Sequence, residues 1–505
     1  MSSPFYITTP IYYVNDVPHI GHAYTTLACD VMARFKRLDD FEVFFLTGTD
    51  EHGQKVETAA NNKGLKPQDF VDDVSVNFRS LLKCMNFSND DFIRTTEKRH
   101  FNSCQRIWNK LVENGNIYLG KYSGWYAVRD EAFFLESEIV DGKAPSGAPV
   151  EWVEEPSYFF NLSKWQDKLL KYYDENKDFI SPNTRRNEVI SFVKGGLKDL
   201  SVSRTSFSWG IKVPNDEQHI MYVWLDALTN YLSACDYSNN ENNMKNSKFW
   251  PADIHMVGKD IIRFHAVYWP AFLMAADLPL PKKVFAHGWW TNEGNKISKS
   301  LGNVINPFDL VEEYGVDQIR YFLMREVPFG NDGDFSKTQL NNRINSDLAN
   351  SYGNLFQRVV SMICKNCDKT IPQKPEVLNE EDLVLVNSLK DNIDDYRNLI
   401  DNQKFDQFLK NIWLVISSAN KYTDEQAPWS LKKTDFKRME VVLFTLIETL
   451  RQVSILLQPF LPNTTKSVLD QIKIPLNQRN FKHLENIYKG EEKIELPEPL
   501  FPRVQ

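Results

Sequence analysis

The N-terminal residues alternate a strand, a helix and a second strand, and this order limits the fold more than any other part of the chain. Phe5–Thr9 is β-branched and aromatic, as strands usually are. Beyond a proline-bounded loop, apolar residues recur every three or four positions along one helix face: Ile20, Tyr24, Leu27, Val31, Phe35 and Leu38. The next strand is predicted over Glu42–Thr47. This pattern predicts a βαβ unit, and therefore an α/β Rossmann-type domain with a parallel sheet.

Two polar stretches follow the strands of this unit. His19-Ile20-Gly21-His22 comes after the first strand and its loop, and Asp50 lies in a polar run directly after the second. Because ligands of parallel sheets bind beyond the carboxyl ends of the strands, we expect His19, His22 and Asp50 to line one crevice. The two histidines also lie at a helix start, which favours anions, and Gly21 would let a planar ring approach the backbone. Two surface histidines at a helix start are the alternative interpretation.

A lysine-rich motif far downstream, Lys296-Ile-Ser-Lys-Ser300, follows Gly288 and Gly294, which permit a mobile loop. When a carboxylate attacks the α-phosphate of ATP, negative charge builds on the phosphoryl oxygens. Lys296 and Lys299 could neutralise that charge as pyrophosphate leaves, with Mg²⁺ assisting. A solvated lysine loop is the alternative. Together, the histidine and lysine motifs predict an enzyme that adenylates a carboxylate.

The remaining sequence divides into ranges that differ in amino-acid composition and in hydrophobic periodicity. Gly, Pro, Trp and acidic residues dominate the range 116–205, which we interpret as an insertion into the sheet. From about Phe335 onward, long helical stripes such as Leu340–Ile363 predict a helical bundle. We therefore expect catalytic halves at 1–115 and 206–290, the insertion at 116–205, the lysine loop and a linker at 291–335, and the bundle at 336–505.

Composition adds limits but does not identify a partner. The chain has 505 residues, too many for one compact domain, and a net charge of −8, which does not by itself suggest a nucleic-acid partner. No apolar run approaches the roughly 18 residues of a membrane span, and no leader is visible, so we expect a cytoplasmic protein. Cys364 and Cys367 form a lone CxxC, better interpreted as two unrelated thiols than as a zinc site.

Several motifs, taken in order, resemble those of the methionyl-tRNA synthetase family within the class I aminoacyl-tRNA synthetases. They are Pro10–His22, Thr47–Gly53, Tyr222–Ala227, Gly258–His265 and His287–Ser300. The resemblance implies methionine and ATP as substrates and His19, Gly21, His22, Lys296 and Lys299 as the ATP positions. It also implies a methionine pocket of Ile11, Tyr13, Asp50, Trp224, Ala227, Tyr231, Ile261, His265 and Trp269.

Within that implied pocket, Asp50 would hold the substrate ammonium group, and Tyr13 and Trp269 would close around the side chain. Helical spacing alone would instead assign Trp224–Tyr231 and His265–Trp269 to core stripes. In the helical half, the resemblance makes the region an anticodon-binding domain. It implies that Trp429 stacks on an anticodon base and that Asn354 and Arg358 bind base edges of tRNA(Met), including the initiator.

Departures from the family pattern matter as well. The insertion contains no cysteine, so we expect no zinc or other protein-bound metal, and it is short for an editing domain. Ile297 replaces the usual methionine of the lysine motif with similar volume. The little chain beyond Phe501 leads us to expect a monomer. Two rival functions remain: a synthetase for another hydrophobic amino acid, and a non-catalytic tRNA-binding protein.

Overall fold

A computed structural model describes residues 2–14, 17–130, 132–134, 136–237, 246–296 and 304–504. The strands are β1 Pro4–Thr8, β2 Tyr12–Tyr13, β3 Glu42–Asp50, β4 Asp91–Arg94, β5 Ile117–Ala127, β6 Ala132–Phe134, β7 Glu151–Phe160, β8 Ile180–Ser181, β9 Leu200–Ser201, β10 Ser203–Arg204, β11 Lys212–Val213, β12 Asp216–Met221, β13 Ile254–Gly258, β14 Val284–His287, β15 Trp290–Asn292, β16 Asn295–Lys296 and β17 Gly333–Phe335.

The helices are α1 Ile20–Leu38, α2 Gln54–Asn62, α3 Pro67–Cys84, α4 Lys98–Glu113, α5 Gln166–Glu175, α6 Asn183–Lys194, α7 Val223–Ser233, α8 Trp269–Ala275, α9 Pro307–Tyr314, α10 Val316–Arg325, α11 Lys337–Arg343, α12 Asn354–Asn366, α13 Glu380–Asn387, α14 Ile393–Asp401, α15 Phe405–Gln426, α16 Pro428–Thr434, α17 Phe436–Leu457 and α18 Pro462–Gln471. Two π-helical segments, Phe264–Tyr268 and Ile344–Gly353, run directly into α8 and α12.

A parallel sheet forms the centre of the first half. Its strand order is β2–β3–β1–β13–β14–β8, with β4 also paired to β3. Strand β1 pairs with β3 on one side and with β13 on the other. The strand order therefore reverses between β1 and β13, and this switch point is where open parallel sheets bind ligands.

The predicted βαβ unit is confirmed, with one shift at a strand end. Apolar positions of α1 such as Tyr24, Leu27 and Val31 are buried against the sheet, as their spacing predicted. The second strand, β3, continues to Asp50 instead of ending near Thr47, because Thr49 and Asp50 pair with β2. Asp50 is therefore fixed as a strand terminus and not carried on a loop.

The range 116–205 contributes strands to three sheets, one of them through β10, which pairs with β12. Strands β6, β5, β7 and β9 form a four-stranded antiparallel sheet, and a small apolar cluster of Ala127, Ala144 and Ala148 lies at its far end. Strand β8, however, pairs with β14 in the central parallel sheet, although it lies within the predicted insertion. The inserted structure is thus narrower than the change in composition suggested, because short strands such as Ile180–Ser181 leave little periodicity in a sequence.

The second half is helical from α11 onward. The predicted stripe is fully buried along α11, the following π-helical segment and α12: Leu340, Ile344, Leu348, Tyr352, Leu355, Val359 and Ile363. These residues pack with α15 and α17 into one hydrophobic core that also includes residues of α1. An α/β domain followed by a helical domain is confirmed. Within the described part of the chain, every helix is too short or too polar to span a membrane.

A buried arginine joins the two halves. Arg320 of α10 donates hydrogen bonds to Asp30 of α1 at 2.6 Å and to the Pro459 carbonyl at 2.7 Å. Both charged side chains are completely buried. Burial would raise the pKa of Asp30, but the guanidinium groups of Arg320 and Arg34 outweigh burial and lower it. Through Asp30 and the Pro459 carbonyl, Arg320 therefore links the helix that begins at the histidine motif to the helical half.

Candidate active site

The start of α1 holds two imidazole rings against its free backbone N–H groups. Nδ1 of His19, the N-cap residue, accepts a hydrogen bond from the Gly21 N–H at 3.1 Å. Nδ1 of His22 accepts from the His19 N–H at 3.0 Å, and the two ring centroids lie 4.0 Å apart. A Cβ on Gly21 would lie 2.9 Å from Cε1 of His19, so glycine is needed to keep that ring in place.

Both rings are neutral hydrogen-bond donors. Burial lowers the pKa of His19, and burial together with the neighbouring His19 lowers the pKa of His22 well below its usual range. Because each Nδ1 accepts from a backbone N–H, the proton of each neutral ring is on Nε2. The helix start thus offers two Nε2–H donors in addition to its own dipole, an arrangement suited to phosphate oxygens.

These histidines line a cavity of about 440 Å³. Most of the predicted site residues meet there: Ile11, Tyr13, His19, Gly21, His22, Asp50, Trp224, Ala227, Tyr231, Ile261 and His265. The cavity lies beyond the ends of β1 and β13, at the switch point of the sheet. Residues from four separate parts of the chain thereby form one site. The βαβ interpretation predicted this for His19, His22 and Asp50, and the family resemblance implied the other pocket residues.

One end of the cavity is aromatic and uncharged. Nδ1–H of His265 donates to the Ile261 carbonyl at 3.0 Å, so Nε2 is left to accept from the Tyr231 hydroxyl at 2.7 Å. Burial lowers the pKa of His265 to about 4, so the ring is neutral near pH 7. His255 stacks behind Tyr231 with a centroid distance of 4.0 Å and holds it from the far side. This end can accept an apolar side chain but offers no charge.

The two predicted tryptophans of the pocket differ in position. Trp224 lines the cavity and stacks on Phe264 with a centroid distance of 3.7 Å. Trp269 does not line it: the side chain is fully buried, with its centroid 6.1 Å from that of Tyr231. In this conformation Trp269 supports the wall of the pocket from behind and does not close over it.

Asp50 supplies a buried acidic group to the cavity. It is 7% exposed, lines the cavity and is the sheet partner of Tyr13 on β2. The Tyr13 hydroxyl donates to the His52 carbonyl at 3.1 Å, and the Lys55 ammonium lies 5.1 Å from the Tyr13 ring centroid. An ammonium-bearing ligand would meet a carboxylate here, next to the uncharged end.

The residues that line the cavity but were not predicted include Thr25, Asp260, His287 and Trp289. Nε2 of His287 accepts from the Thr25 hydroxyl at 2.7 Å, and the Trp289 indole N–H donates to Asp260 at 3.1 Å. Burial lowers the pKa of His287. For Asp260, His287 and Trp289, the position at or just after the end of β13 or β14 was the available signal, because those strand ends meet the same crevice.

The lysine motif is only partly described. The backbone of Lys296 pairs with Thr291 in the small sheet β16–β15–β17. The side chain of Lys296 and the whole of Lys299 lie outside the described residues. Their assignment to ATP therefore stays a prediction.

The predicted anticodon residues come together at the surface of the helical half. Trp429 is 47% exposed, and the Arg358 guanidinium lies 5.7 Å from its ring centroid. Arg358 also pairs with Asp424 at 2.7 Å, which fixes the guanidinium beside the ring. Asn354 is exposed one helical turn before Arg358 on α12. An exposed tryptophan next to polar groups is suited to stacking on an unpaired base.

Among the described residues, one group has the composition of a metal site: His100, Cys104 and Asp226, with ligand atoms within 4.8 Å of one another. Both Asp226 oxygens accept hydrogen bonds from imidazoles at 2.7 Å, one from His52 and one from His100. Burial raises the pKa of the Cys104 thiol well above its usual range, so it stays protonated. The group does not fit a structural zinc ion, because it offers three ligands instead of four, its thiol is protonated, and both Asp226 oxygens already accept hydrogen bonds.

Comparisons with known proteins agree with this geometry. The family described as "tRNA synthetases class I (M)" matches residues 5–148 and 144–360, and "Anticodon binding domain of methionyl tRNA ligase" matches residues 371–505. With the histidine motif at the switch point of a parallel sheet, the fold and site are those of a class I aminoacyl-tRNA synthetase.

Individual relatives narrow the class. The methionine–tRNA ligase of Rickettsia felis is 58% identical over 100% of this chain and 99% of its own length, and that of Rhizobium meliloti is 55% identical over 99% and 98%. The structure of Mycobacterium tuberculosis methionyl-tRNA synthetase in complex with methionyl-adenylate has a TM-score of 0.96 at 47% identity, covering 99% of this chain and 100% of that one. The chain belongs to the methionyl-tRNA synthetase family.

Proposed function

We propose that this protein activates methionine with ATP and then transfers the methionyl group to the 3′-terminal adenosine of tRNA(Met). The observation that carries the proposal is the single cavity itself. It joins two Nε2–H donors at a helix start, a buried carboxylate at Asp50 and an uncharged aromatic end at Tyr231 and His265. The triphosphate of ATP and the ammonium group and thioether side chain of methionine can each bind a chemically matched part of one site.

In the first step, a carboxylate oxygen of methionine attacks the α-phosphorus of ATP. The new bond forms as the bond to the β-phosphate oxygen breaks, giving methionyl-adenylate and pyrophosphate. His19 and His22 donate from Nε2 to phosphoryl oxygens, on which negative charge grows in the transition state. We assign Lys296 and Lys299 to the leaving pyrophosphate. Mg²⁺ enters with ATP as part of the substrate, bound by phosphate oxygens.

Selectivity for methionine follows from the pocket. Asp50 pairs with the substrate ammonium group, while Ile11, Ala227 and Ile261 provide apolar contacts for the side chain. The neutral His265–Tyr231 pair closes the far end of the pocket. A charged side chain would lose its hydration there without gaining a partner charge, so its binding is disfavoured. Trp269, buried behind Tyr231, would have to rotate to contact the ligand, as its assignment to the pocket requires.

Recognition of the tRNA is assigned to the helical half. Trp429 stacks on a splayed anticodon base, and Asn354 and Arg358 hydrogen-bond to base edges. The same three residues would read elongator and initiator tRNA(Met), which share an anticodon.

We further propose that the enzyme works in the cytoplasm as a monomer and without bound zinc. The range 116–205 contains neither cysteine nor histidine. Its far end is supported instead by the apolar contacts of Ala127, Ala144 and Ala148, and by a hydrogen bond from Ser146 to Asp130. Metal analysis of the purified protein tests for zinc, and its mass in solution tests for a monomer.

Amino-acid-dependent ATP–pyrophosphate exchange, measured with each of the twenty amino acids and no tRNA, tests the activation step. Exchange with methionine alone is the expected result. Exchange with another hydrophobic amino acid would retain the adenylation chemistry and reject the pocket assignment. If none supports exchange but the protein binds tRNA, the non-catalytic alternative would be favoured.

A further inference from the structure

A buried carboxylate lies just outside the cavity, between the elements that form it. Asp226 is on α7, next to Ala227, and is 1% exposed. Burial alone would raise its pKa, but its bonds to His52 and His100 lower the pKa to about 2, so Asp226 is ionised near neutral pH. An ionised carboxylate accepts only, and each imidazole therefore donates an N–H to it.

One of these imidazoles leads back to the cavity. His52, itself 2% exposed, donates from Nδ1 to Asp226 at 2.7 Å. Its backbone carbonyl accepts from the Tyr13 hydroxyl at 3.1 Å, and it follows Asp50 by two residues. The ring of His52 therefore ties down the short segment that places both the Asp50 carboxylate and the Tyr13 ring.

The other imidazole, that of His100, anchors Asp226 to helix α4. His100 of α4 donates from Nε2 to the second Asp226 oxygen at 2.7 Å and bonds to Ser233 of α7 through Nδ1 at 2.9 Å. Asp226, which belongs to α7, is thereby also fixed to α4. Its other carboxylate oxygen accepts from His52 and holds that ring in place. Buried networks of this kind are costly if left unsatisfied, so the position of each member is well defined.

We propose that Asp226, acting through His52, is a positioning residue that sets where Asp50 and Tyr13 meet the amino acid. It does not touch the substrate. The inference rests on the proposed function of the cavity and adds a device for amino-acid affinity that is separate from ATP binding, because the histidine motif takes no part in the network.

Three substitutions test the proposal in ATP–pyrophosphate exchange. H52N keeps an N–H close to the place of Nδ1, whereas H52Q moves it to the place of Nε2 and breaks the bond to Asp226. D226N keeps the shape but presents an N–H to one of the two imidazole donors. The matched control is H219N, a buried histidine near Asp216 at 3.8 Å that does not line the cavity.

We expect the disruptive substitutions to raise the KM for methionine and to leave the KM for ATP nearly unchanged. H52Q and D226N should raise the KM for methionine about 10- to 100-fold, as misplacement by an ångström can, while the KM for ATP changes less than twofold. H52N should stay within about threefold of the unsubstituted enzyme, and H219N should alter neither KM.

Two results would overturn the proposal. One is an equal rise in methionine KM for H52N and H52Q. The other is a rise in both KM values together with a lower melting temperature, as a merely structural network would give. If D226N does not fold, the H52N–H52Q comparison alone decides. Failure of the proposed function is seen separately, as the lack of methionine-dependent exchange by the unsubstituted enzyme.

Discussion

Two substitutions can test whether His22 acts as a hydrogen-bond donor in the cavity. Its Nδ1 accepts from the His19 N–H at 3.0 Å and caps α1, while its Nε2–H is available to a phosphate in the cavity. In H22N, the side-chain carbonyl can take the place of Nδ1, so the cap is retained and the donor is lost. In H22Q, an N–H can take the place of Nε2, and the side-chain carbonyl can still accept from the His19 N–H as a capping-box glutamine does, so both the donor and the cap are retained.

The expected magnitudes differ for the two variants. Loss of one donor to charge that develops in the transition state typically costs about 2.7–4 kcal/mol, or roughly 10²–10³ in rate. H22N should therefore lower kcat for pyrophosphate exchange by that factor, with the stability of α1 nearly unchanged. H22Q should keep exchange within about tenfold, and neither variant should lose the roughly 1 kcal/mol of stability that loss of a helix cap costs.

Steady-state pyrophosphate exchange at saturating methionine and ATP measures kcat, and urea denaturation measures the stability. Methionine KM serves as an internal control, since His22 lies at the opposite end of the cavity from Tyr231 in the proposed assignment. The reasoning would be refuted if H22N kept more than a tenth of the exchange rate, or if H22Q lost as much activity as H22N.

Three other predictions concern the rest of the molecule. Below pH 6.5 the unfolded chain protonates His265, whose folded pKa is about 4, so stability should fall by about 2 kcal/mol by pH 5; a flat series of denaturation midpoints would contradict this. R320A removes one of the two guanidinium partners of the buried Asp30 carboxylate, the other being Arg34, and takes the donor from the Pro459 carbonyl; it should cost about 3–5 kcal/mol in urea denaturation, and a cost below about 1 kcal/mol would contradict this. W429A should raise the tRNA KM in charging assays and leave exchange intact; loss of both would mean a structural tryptophan.

Local sequence patterns were sufficient to predict the main helices and strands and the outline of the active site. The apolar stripe of α1, the stripe from Leu340 to Ile363 and the polar residues at strand ends all follow from periodicity and residue type. Family resemblance then named the pocket residues, and all but Trp269 line one cavity. The short strand β8 escaped prediction because a two-residue strand has no measurable period.

The sequence by itself determined the class of fold, the order of its parts and the residue types that meet at the site, since these depend on local spacing and chemistry. The tertiary structure alone decided which nitrogen of each histidine carries the proton, that Trp269 stands behind Tyr231, and that Asp226 reaches His52 across 174 positions. Protonation, burial and long-range pairing depend on neighbours brought together by packing. Those neighbours are distant in the chain, so no local pattern contains them.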